Sequence, residues 1–295
     1  MFPGFQRHDF SLGDVAIRCA VGGSGPPLLL LHGNPQTHAI WARCAPLLAD
    51  RFTCVCPDLR GYGDSSKPRP LPDLSNYSFR AMAADQVALM GRLGFERFHV
   101  VGHDRGGRTA HRMALDHPDR VLSMGVLDIA PTRTTYGQMD RRVAAGMWMW
   151  NFFTQPAPLP ERMIGADPDF FFETVLTGLG RKGLDQWDAG QLAEYRRCWR
   201  DPAMIAAMCS DYRAAVAVDL ALDEADFAAG RKVACPALAL WGEVGAPASY
   251  FDVAQAWGEW CPSLTCRTLP AGHFFIDSMP TETAQVLGDF LKAIA

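Results

Sequence analysis

Short apolar runs that stop abruptly at polar or glycine residues recur along the first half of the chain. Strands buried on both faces of a parallel sheet show this pattern, and helical stretches alternate with the runs. The pattern therefore predicts an α/β chain whose polar residues gather at the carboxyl ends of the strands, where open α/β sheets place their sites. The runs are residues 28–31, 52–57, 98–102 and 121–127.

The alternation is interrupted after Pro131 by a helical stretch rich in aromatic residues. Two more apolar runs and a final helix near 281–293 then resume the first pattern. A chain of 295 residues can form two domains or one large α/β domain with an insertion. We expect the second arrangement, with an α/β core at 1–133 and 229–295 and an inserted helical cap at 134–228.

Composition excludes several classes of partner. The chain has 28 Lys and Arg against 32 Asp and Glu, which argues against non-specific nucleic-acid binding. No apolar run approaches a membrane span and no secretory signal is visible, so we expect no membrane partner. The nine cysteines are scattered without a C-x-x-C pair, which predicts a reducing cytoplasm and no zinc site. No metal or organic cofactor is indicated.

The segment Val100 to Arg108, VVGHDRGGR, has the strand–G-x-nucleophile-x-G–helix layout of a nucleophile elbow. The sharp turn needs Gly102 and Gly106 because a Cβ at either position would clash. Asp104 occupies the nucleophile position. The alternative is that Asp104 merely caps the following helix.

An aspartate nucleophile restricts the chemistry. Its carboxylate is already ionised at neutral pH and needs no base in order to attack. It is suited to displacing a leaving group from an sp³ carbon, which gives an ester of the enzyme that an activated water then hydrolyses. Halide displacement and epoxide opening fit this sequence of steps.

The general base is expected at His273, the last histidine of the chain, because this fold orders nucleophile, acid and histidine. Asp128 and Glu243 each follow an apolar run, and either one is a plausible partner that orients the imidazole. We favour Asp128, because an ionised residue at the end of a strongly apolar strand requires a reason.

Backbone N–H groups of Asn34 and Arg105 are expected to form the oxyanion hole. Arg105 and Arg108 lie three residues apart, at or just after the elbow, and share a helix face. Two guanidinium groups beside the nucleophile point to an anionic substrate, with internal ion pairing as the alternative. His32 and His103 flank the site and are expected to brace its loops.

The motifs together identify a resemblance that covers nearly the whole chain. It resembles the haloacetate dehalogenases, which include the fluoroacetate dehalogenases, of the α/β-hydrolase superfamily. The resemblance implies an α/β-hydrolase fold, a mostly parallel eight-stranded sheet with helices on both faces, and a homodimer. It also implies that Asp104 is the nucleophile, His273 the base and Asp128 its partner, and that Arg105 and Arg108 bind the substrate carboxylate. The motifs lie at 32–38, 57–65, 102–108, 127–132, 155–158, 165–169, 210–215 and 272–275.

In that family, the halide pocket consists of a His-Trp pair and a Tyr. Trp150 and Tyr212 match the last two, whereas Met149 occupies the histidine position. A thioether cannot donate a hydrogen bond, so one donor to fluoride is missing. We therefore expect chloroacetate and bromoacetate to be preferred over fluoroacetate. Asn34 is a candidate replacement donor, because the related haloalkane dehalogenases have an Asn there that contacts halide.

Hydrolysis of small 2-haloacids, haloacetate and water to glycolate and halide, is thus the preferred interpretation. Epoxide hydrolases share the Asp elbow, the base and a cap Tyr, but their neutral substrates give Arg105 and Arg108 no role. Haloalkane dehalogenases have Trp directly after the nucleophile, where this chain has Arg105. A non-catalytic ligand receptor on a hydrolase fold is a further alternative, and the retention of Asp104, Asp128 and His273 weighs against it.

Overall fold

One sheet of eight strands organises the chain. The computed structural model describes residues 1–178 and 183–294. The strand order is β1-β2-β4-β3-β5-β6-β7-β8. The strands from β3 to β8 pair in parallel, whereas β1 pairs antiparallel with β2, and β2 antiparallel with β4. Their bounds are β1 Gln6–Leu12, β2 Val15–Gly22, β3 Pro27–Leu31, β4 Thr53–Pro57, β5 Phe98–His103, β6 Val121–Leu127, β7 Ala237–Gly242 and β8 Leu264–Leu269.

The first two strands form a hairpin that the apolar runs do not predict. β1 alternates between exposed and half-buried residues at the edge of the sheet, so it lacks a continuous apolar run. Leu12 pairs with Val15 across the two-residue loop Gly13-Asp14, in which Gly13 has φ of 71°. A Gly-Asp loop between alternating segments is the short-range signal of a hairpin.

Helices cover both faces of the sheet. Between β6 and β7 lie α4 to α11, which we call the cap helices, and Ala215–Asp219 among them is π-helical. The α-helices are α1 Ala45–Leu48, α2 Phe79–Arg92, α3 Arg105–Asp116, α4 Thr132–Gly137, α5 Arg141–Gly146, α6 Trp148–Phe153, α7 Leu159–Ala166, α8 Pro168–Leu176, α9 Ala189–Trp199, α10 Pro202–Ala214, α11 Leu220–Ala228, α12 Ala246–Tyr250, α13 Val253–Gly258, α14 Phe275–Ser278 and α15 Pro280–Lys292.

The central strands show why their sequences are continuously apolar. Successive side chains of a strand point to opposite faces of the sheet. Leu29 and Leu31 of β3 pack into one core cluster, whereas Leu28 and Leu30 pack into another. Both faces are covered, so the apolar residues alternate between two cores along the strand.

The ends of the strands assemble the site. β5 ends at His103 and α3 begins at Arg105, which leaves Asp104 alone in the turn between them. β6 ends one residue before Asp128. β8 ends four residues before His273. Because these strands are parallel, the residues that follow them meet at one edge of the sheet.

Candidate active site

Asp104 stands at the tip of a tight strand-to-helix turn. Its backbone has φ of 47° and ψ of −114°, a conformation that residues other than glycine rarely adopt. The flanking glycines are required: a Cβ on Gly102 would lie 2.2 Å from the carbonyl carbon of Gly106, and one on Gly106 would lie 2.5 Å from the carbonyl oxygen of His32. The Asp104 side chain makes no capping hydrogen bond to α3, so the alternative of a helix cap is wrong.

The Asp104 carboxylate is held ionised inside the protein. Its Oδ2 accepts a hydrogen bond of 2.9 Å from the backbone amide of Asn34. Burial alone would raise the pKa of Asp104, but the positive charges of His273 and Arg105 outweigh burial and lower that pKa below its usual value. Asp104 is therefore a carboxylate at neutral pH and needs no base to become nucleophilic.

His273 lies against Asp128. The imidazole Nδ1 is 2.6 Å from Oδ2 of Asp128, and Oδ1 of Asp128 accepts the backbone N–H of Gly242 at 2.8 Å. Burial disfavours the imidazolium, but the hydrogen bond and charge of Asp128 outweigh burial and raise the pKa of His273. Glu243, the other candidate partner, lies outside this contact and accepts a hydrogen bond of 3.0 Å from Thr268.

His32 and His103 brace the loops around the site, as predicted. Nε2 of His32 accepts the backbone N–H of Leu59 at 3.0 Å, so Nδ1 carries the proton that it donates to Gly33. Nε2 of His103 donates to the carbonyl oxygen of His273 at 2.9 Å. Burial lowers the pKa of each imidazole to about 4, which keeps both neutral.

The Arg105 guanidinium binds a carboxylate of the cap. Its Nε and Nη2 donate to the two carboxylate oxygens of Asp211 in α10, at 2.9 and 2.5 Å, and both side chains are buried. Tyr62 donates to the same carboxylate at 2.8 Å. Nη1 of Arg105 has no hydrogen-bond partner among residues 1–178 and 183–294. Sequence reasoning missed Asp211, although it lies within the 210–215 motif.

Arg108 is the cation that reaches the cavity wall. Its Nη1 donates to Thr132 at 3.0 Å, and its guanidinium lies 4.5 Å from the ring centre of Trp150. No carboxylate forms an ion pair with it in the described part of the chain. Burial and the neighbouring Arg105 lower the pKa of Arg108 to about 10, so it stays charged at neutral pH. A cation at this wall without an ion pair favours an anionic ligand.

A cavity of about 540 Å³ lies between the strand ends and the cap helices. The rings of Trp150 and Tyr212 meet there edge to face, with centres 5.8 Å apart. Burial and the nearby Asp104 raise the pKa of Tyr212 well above its usual value, so its hydroxyl stays protonated. The cavity is lined on the core side by Asn34, Asp104, Arg108, Asp128 and His273, and on the cap side by Met147, Trp148, Met149, Trp150, Val175, Leu176 and Tyr212.

The described residues hold neither a cluster of metal ligands nor a membrane-spanning helix. Among the described residues, no group of three or more His, Cys, Asp or Glu side chains is placed to hold a metal ion. No helix there is long and apolar enough to cross a bilayer. Seven cysteines are buried and two are half-buried, and all carry free thiols.

Known proteins resemble this chain along almost its full length. Residues 26–280 match the family described as the alpha/beta hydrolase fold. A fluoroacetate dehalogenase from Burkholderia sp is 57% identical over 292 residues, which cover 99% of this chain and 95% of that relative. A soluble epoxide hydrolase from Corynebacterium sp. strain C12 is 32% identical over 280 residues, 93% of either chain. A crystal structure from Nostoc sp PCC 7120, provisionally described as an α/β hydrolase, superposes with a TM-score of 0.95 at 47% identity, covering 99% of each chain.

The sheet, the elbow at the end of β5 and the family match define an α/β hydrolase. Within that class the chain belongs to the fluoroacetate dehalogenase family, and it is a hydrolase that acts on carbon–halide bonds. The resemblance and fold class predicted from the sequence are thereby confirmed. The likeness to epoxide hydrolases is more distant.

Proposed function

We propose that this enzyme hydrolyses small 2-haloacids to 2-hydroxyacids and halide through an ester on Asp104. The observation that carries the proposal is an ionised, buried Asp104 beside the cation Arg108, which has no ion pair in the described residues, at one cavity wall. A haloacetate places its carboxylate and its reacting carbon on adjacent atoms, which suits two groups one helical turn apart.

In the first step a carboxylate oxygen of Asp104 attacks C2 of the haloacid, a carbon–oxygen bond forms and halide leaves with the electron pair of the carbon–halogen bond. Oδ2 is already engaged by the Asn34 amide, so we assign the attack to Oδ1. The substrate carboxylate binds Arg108 and the free Nη1 of Arg105. This positioning of the reacting atoms lowers the barrier because alignment replaces a chance encounter.

In the second step water attacks the carbonyl carbon of the Asp104 ester. His273 takes a proton from that water through Nε2, while Asp128 stabilises the imidazolium at Nδ1. Charge develops on Oδ2, where the Asn34 amide already donates and the Arg105 amide completes the oxyanion hole. The tetrahedral species then expels the 2-hydroxyacid, whose oxygen receives the proton held by His273. The second proton of the water is released to solvent, which restores the Asp104 carboxylate.

Halide departure is assigned to Trp150 and Tyr212, with the Asn34 side chain as a third donor. The Nδ2 of Asn34 is buried, lies at the cavity and has no hydrogen-bond partner in the described residues. Met149 lines the cavity but cannot donate a hydrogen bond. Fluoride depends most on donors, so we propose that chloroacetate and bromoacetate are better substrates than fluoroacetate.

The decisive experiment traps the ester. His273→Asn is incubated with chloroacetate or bromoacetate and its intact mass is measured; the mass of one carboxymethyl group should be added at Asp104, while wild type returns to its starting mass. Asp104→Asn is the matched control and should gain nothing. A His273→Asn protein that stays unmodified while wild type releases halide contradicts the mechanism. Diol production from epoxides without halide release from haloacids would instead favour an epoxide hydrolase.

We also propose a homodimer in a reducing cytoplasm. Three large apolar side chains on α7 and α8 are strongly exposed in the single chain: Leu159 at 52%, Met163 at 58% and Phe170 at 71%. Exposed apolar residues that group on neighbouring helices mark surfaces where proteins associate. The free thiols of all nine cysteines support a reducing compartment.

A further inference from the structure

Asp277 is a buried carboxylate that the proposed mechanism does not use. It lies in α14, four residues after His273, and is 1% exposed. The side-chain amide of Gln36 donates to its Oδ2 at 2.6 Å, and the hydroxyl of Tyr195 donates to its Oδ1 at 2.9 Å. Gln36 also reaches the Tyr195 oxygen at 3.2 Å. These three side chains form the Gln36–Asp277–Tyr195 cluster.

The cluster joins three parts of the fold that are far apart in sequence. Gln36 belongs to the loop after β3, Asp277 to α14 and Tyr195 to the cap helix α9. Its carboxylate has no cation bound to it in the described residues, because Arg43 donates only to the backbone carbonyl of Asp277, at 3.0 Å. Burying a carboxylate among neutral donors is costly, and burial raises the pKa of Asp277 to about 7. An arrangement with such a cost requires a reason beyond packing.

The Gln36 end of the cluster holds the loop that carries the oxyanion hole. The backbone amide of Gln36 donates to the carbonyl oxygen of Gly33 at 3.0 Å, which closes a turn around Asn34. The amide of Asn34 is the donor to Oδ2 of Asp104. Any displacement of Gln36 is therefore passed to the group that stabilises the oxyanion.

The Asp277 end holds the segment that carries the base. Backbone amides of Asp277 and Ser278 both donate to the carbonyl oxygen of Phe274, the residue directly after His273. The Phe274 ring packs against His273 and against Trp187 of the cap, with ring centres 4.8 and 5.2 Å away. The turn from His273 to Asp277 is thus short and constrained along its length.

We propose that the Gln36–Asp277–Tyr195 cluster is a positioning device that fixes the oxyanion-hole loop and His273 relative to each other and to the cap. This inference rests on the proposed function. Both groups that the cluster fixes serve ester hydrolysis, because His273 activates the water and the Asn34 amide stabilises the oxyanion. Alkylation by chloroacetate depends on Asp104, Arg108, Trp150 and Tyr212, since chloride needs the Asn34 side chain as a donor less than fluoride does. The cluster should therefore matter for ester hydrolysis and much less for ester formation.

Single-turnover kinetics with chloroacetate separate the two steps. Halide release reports alkylation, and the intact mass of quenched samples reports the decay of the ester. Gln36→Met keeps the length of the side chain but removes its donor. A small misplacement of reacting groups costs up to about 100-fold in rate, so we expect Gln36→Met to slow ester decay by about 10- to 100-fold and to leave alkylation within about threefold of wild type.

Tyr195→Phe provides a second test that is independent of whether Gln36→Met folds. It should also slow ester decay selectively, and Tyr77→Phe is its matched control. Tyr77 is likewise buried and donates its hydroxyl to a carbonyl, that of Pro68 at 2.6 Å, but it lies outside the cluster. Asp277→Asn, in contrast, should keep ester decay near the wild-type rate, because Gln36 can rotate its amide and accept a hydrogen bond from the new side chain.

The outcomes separate this inference from the function on which it rests. If wild type forms no ester, the proposed function fails. If wild type forms and hydrolyses an ester, but the folded cluster variants hydrolyse it at the wild-type rate or lose both steps equally, the positioning inference alone is overturned.

Discussion

Each carboxylate oxygen of Asp128 has its own hydrogen-bond partner, and His273 is the partner of Oδ2. Oδ2 faces Nδ1 of the imidazole at 2.6 Å, while Oδ1 accepts the Gly242 backbone amide at 2.8 Å. A backbone amide can only donate, so Oδ1 must remain an acceptor. The Oδ2 oxygen in turn holds the proton of His273 on Nδ1, which leaves Nε2 free to accept a proton.

Asp128→Asn should reverse that tautomer. The new carbonyl oxygen must face Gly242, so the NH₂ group faces His273 and forces its proton onto Nε2. We expect ester hydrolysis to fall about 10³- to 10⁴-fold, the scale seen when a triad carboxylate is replaced by an amide. Intact mass after mixing with chloroacetate should show the ester accumulating. Glu243→Gln is the control and should behave as wild type; equal losses in the two variants would contradict the assignment.

The pH dependence should differ between the two steps. Hydrolysis needs neutral His273, and the raised pKa of that imidazole lies above its usual 6.5, so hydrolysis is lost as pH falls through this region. Alkylation needs ionised Asp104, whose lowered pKa lies below 3.8, so that step should persist to much lower pH. Single turnovers near pH 5.5 should accumulate ester. Parallel acid limbs for halide release and ester decay would exclude His273 as the base.

Arg105 and Arg108 should respond differently to mutation although both are buried and lie three residues apart on α3. Arg105→Gln leaves the buried Asp211 without its cation, so the free energy of unfolding should fall by about 3–5 kcal/mol. Arg108→Gln removes no ion pair and should cost little stability. It should instead reduce kcat/KM for chloroacetate by about 10- to 100-fold, the loss expected for a charged hydrogen bond.

Urea unfolding and steady-state kinetics on the same preparations check this division. Chloroacetamide, which lacks the carboxylate charge, is the control substrate, and its turnover should be insensitive to Arg108→Gln. A large loss of stability in Arg108→Gln with an unchanged KM for chloroacetate would mean that its role is structural.

The part of the site predicted from the sequence is the part encoded by short segments. The elbow around Asp104 is visible because a strand, two glycines and a helix lie within a few residues of one another. Chain order in this fold, together with elimination, then selects His273. The strongly apolar strand before Asp128 favours it over Glu243, and the structure places Asp128 against His273.

The contacts that the sequence did not predict join distant segments through the cap. Asp211 lies 106 residues after Arg105, and the sequence offers no means of deciding which carboxylate of the cap helices faces α3. Gln36 and Asp277 are 241 residues apart. The β1–β2 hairpin is not predicted by the apolar runs for a different reason. The edge strand exposes about half of its residues and therefore lacks a continuous apolar run.

The proposed dimer makes Phe170 a point of association. Replacing it with Lys places a charge where an apolar contact is expected, so Phe170→Lys should shift the molar mass measured by light scattering from dimer to monomer. Leu47→Lys is the control. Leu47 is 53% exposed and lies in α1, outside α7 and α8, so its replacement should leave the molar mass unchanged. A wild-type protein that is monomeric at micromolar concentration contradicts the proposal directly.

Met149 should determine how well the enzyme handles fluoride. Departing fluoride is small and strongly basic, and Met149 lines the cavity but has no hydrogen-bond donor in its side chain. Met149→His adds a donor beside Trp150, so the ratio of kcat/KM for fluoroacetate to that for chloroacetate should rise by about tenfold, the value of one hydrogen bond near 1.4 kcal/mol. Met149→Leu keeps an apolar side chain of similar volume and should leave that ratio unchanged. A wild-type ratio already at or above one would show that the remaining donors suffice for fluoride, and the role assigned to Met149 would be wrong.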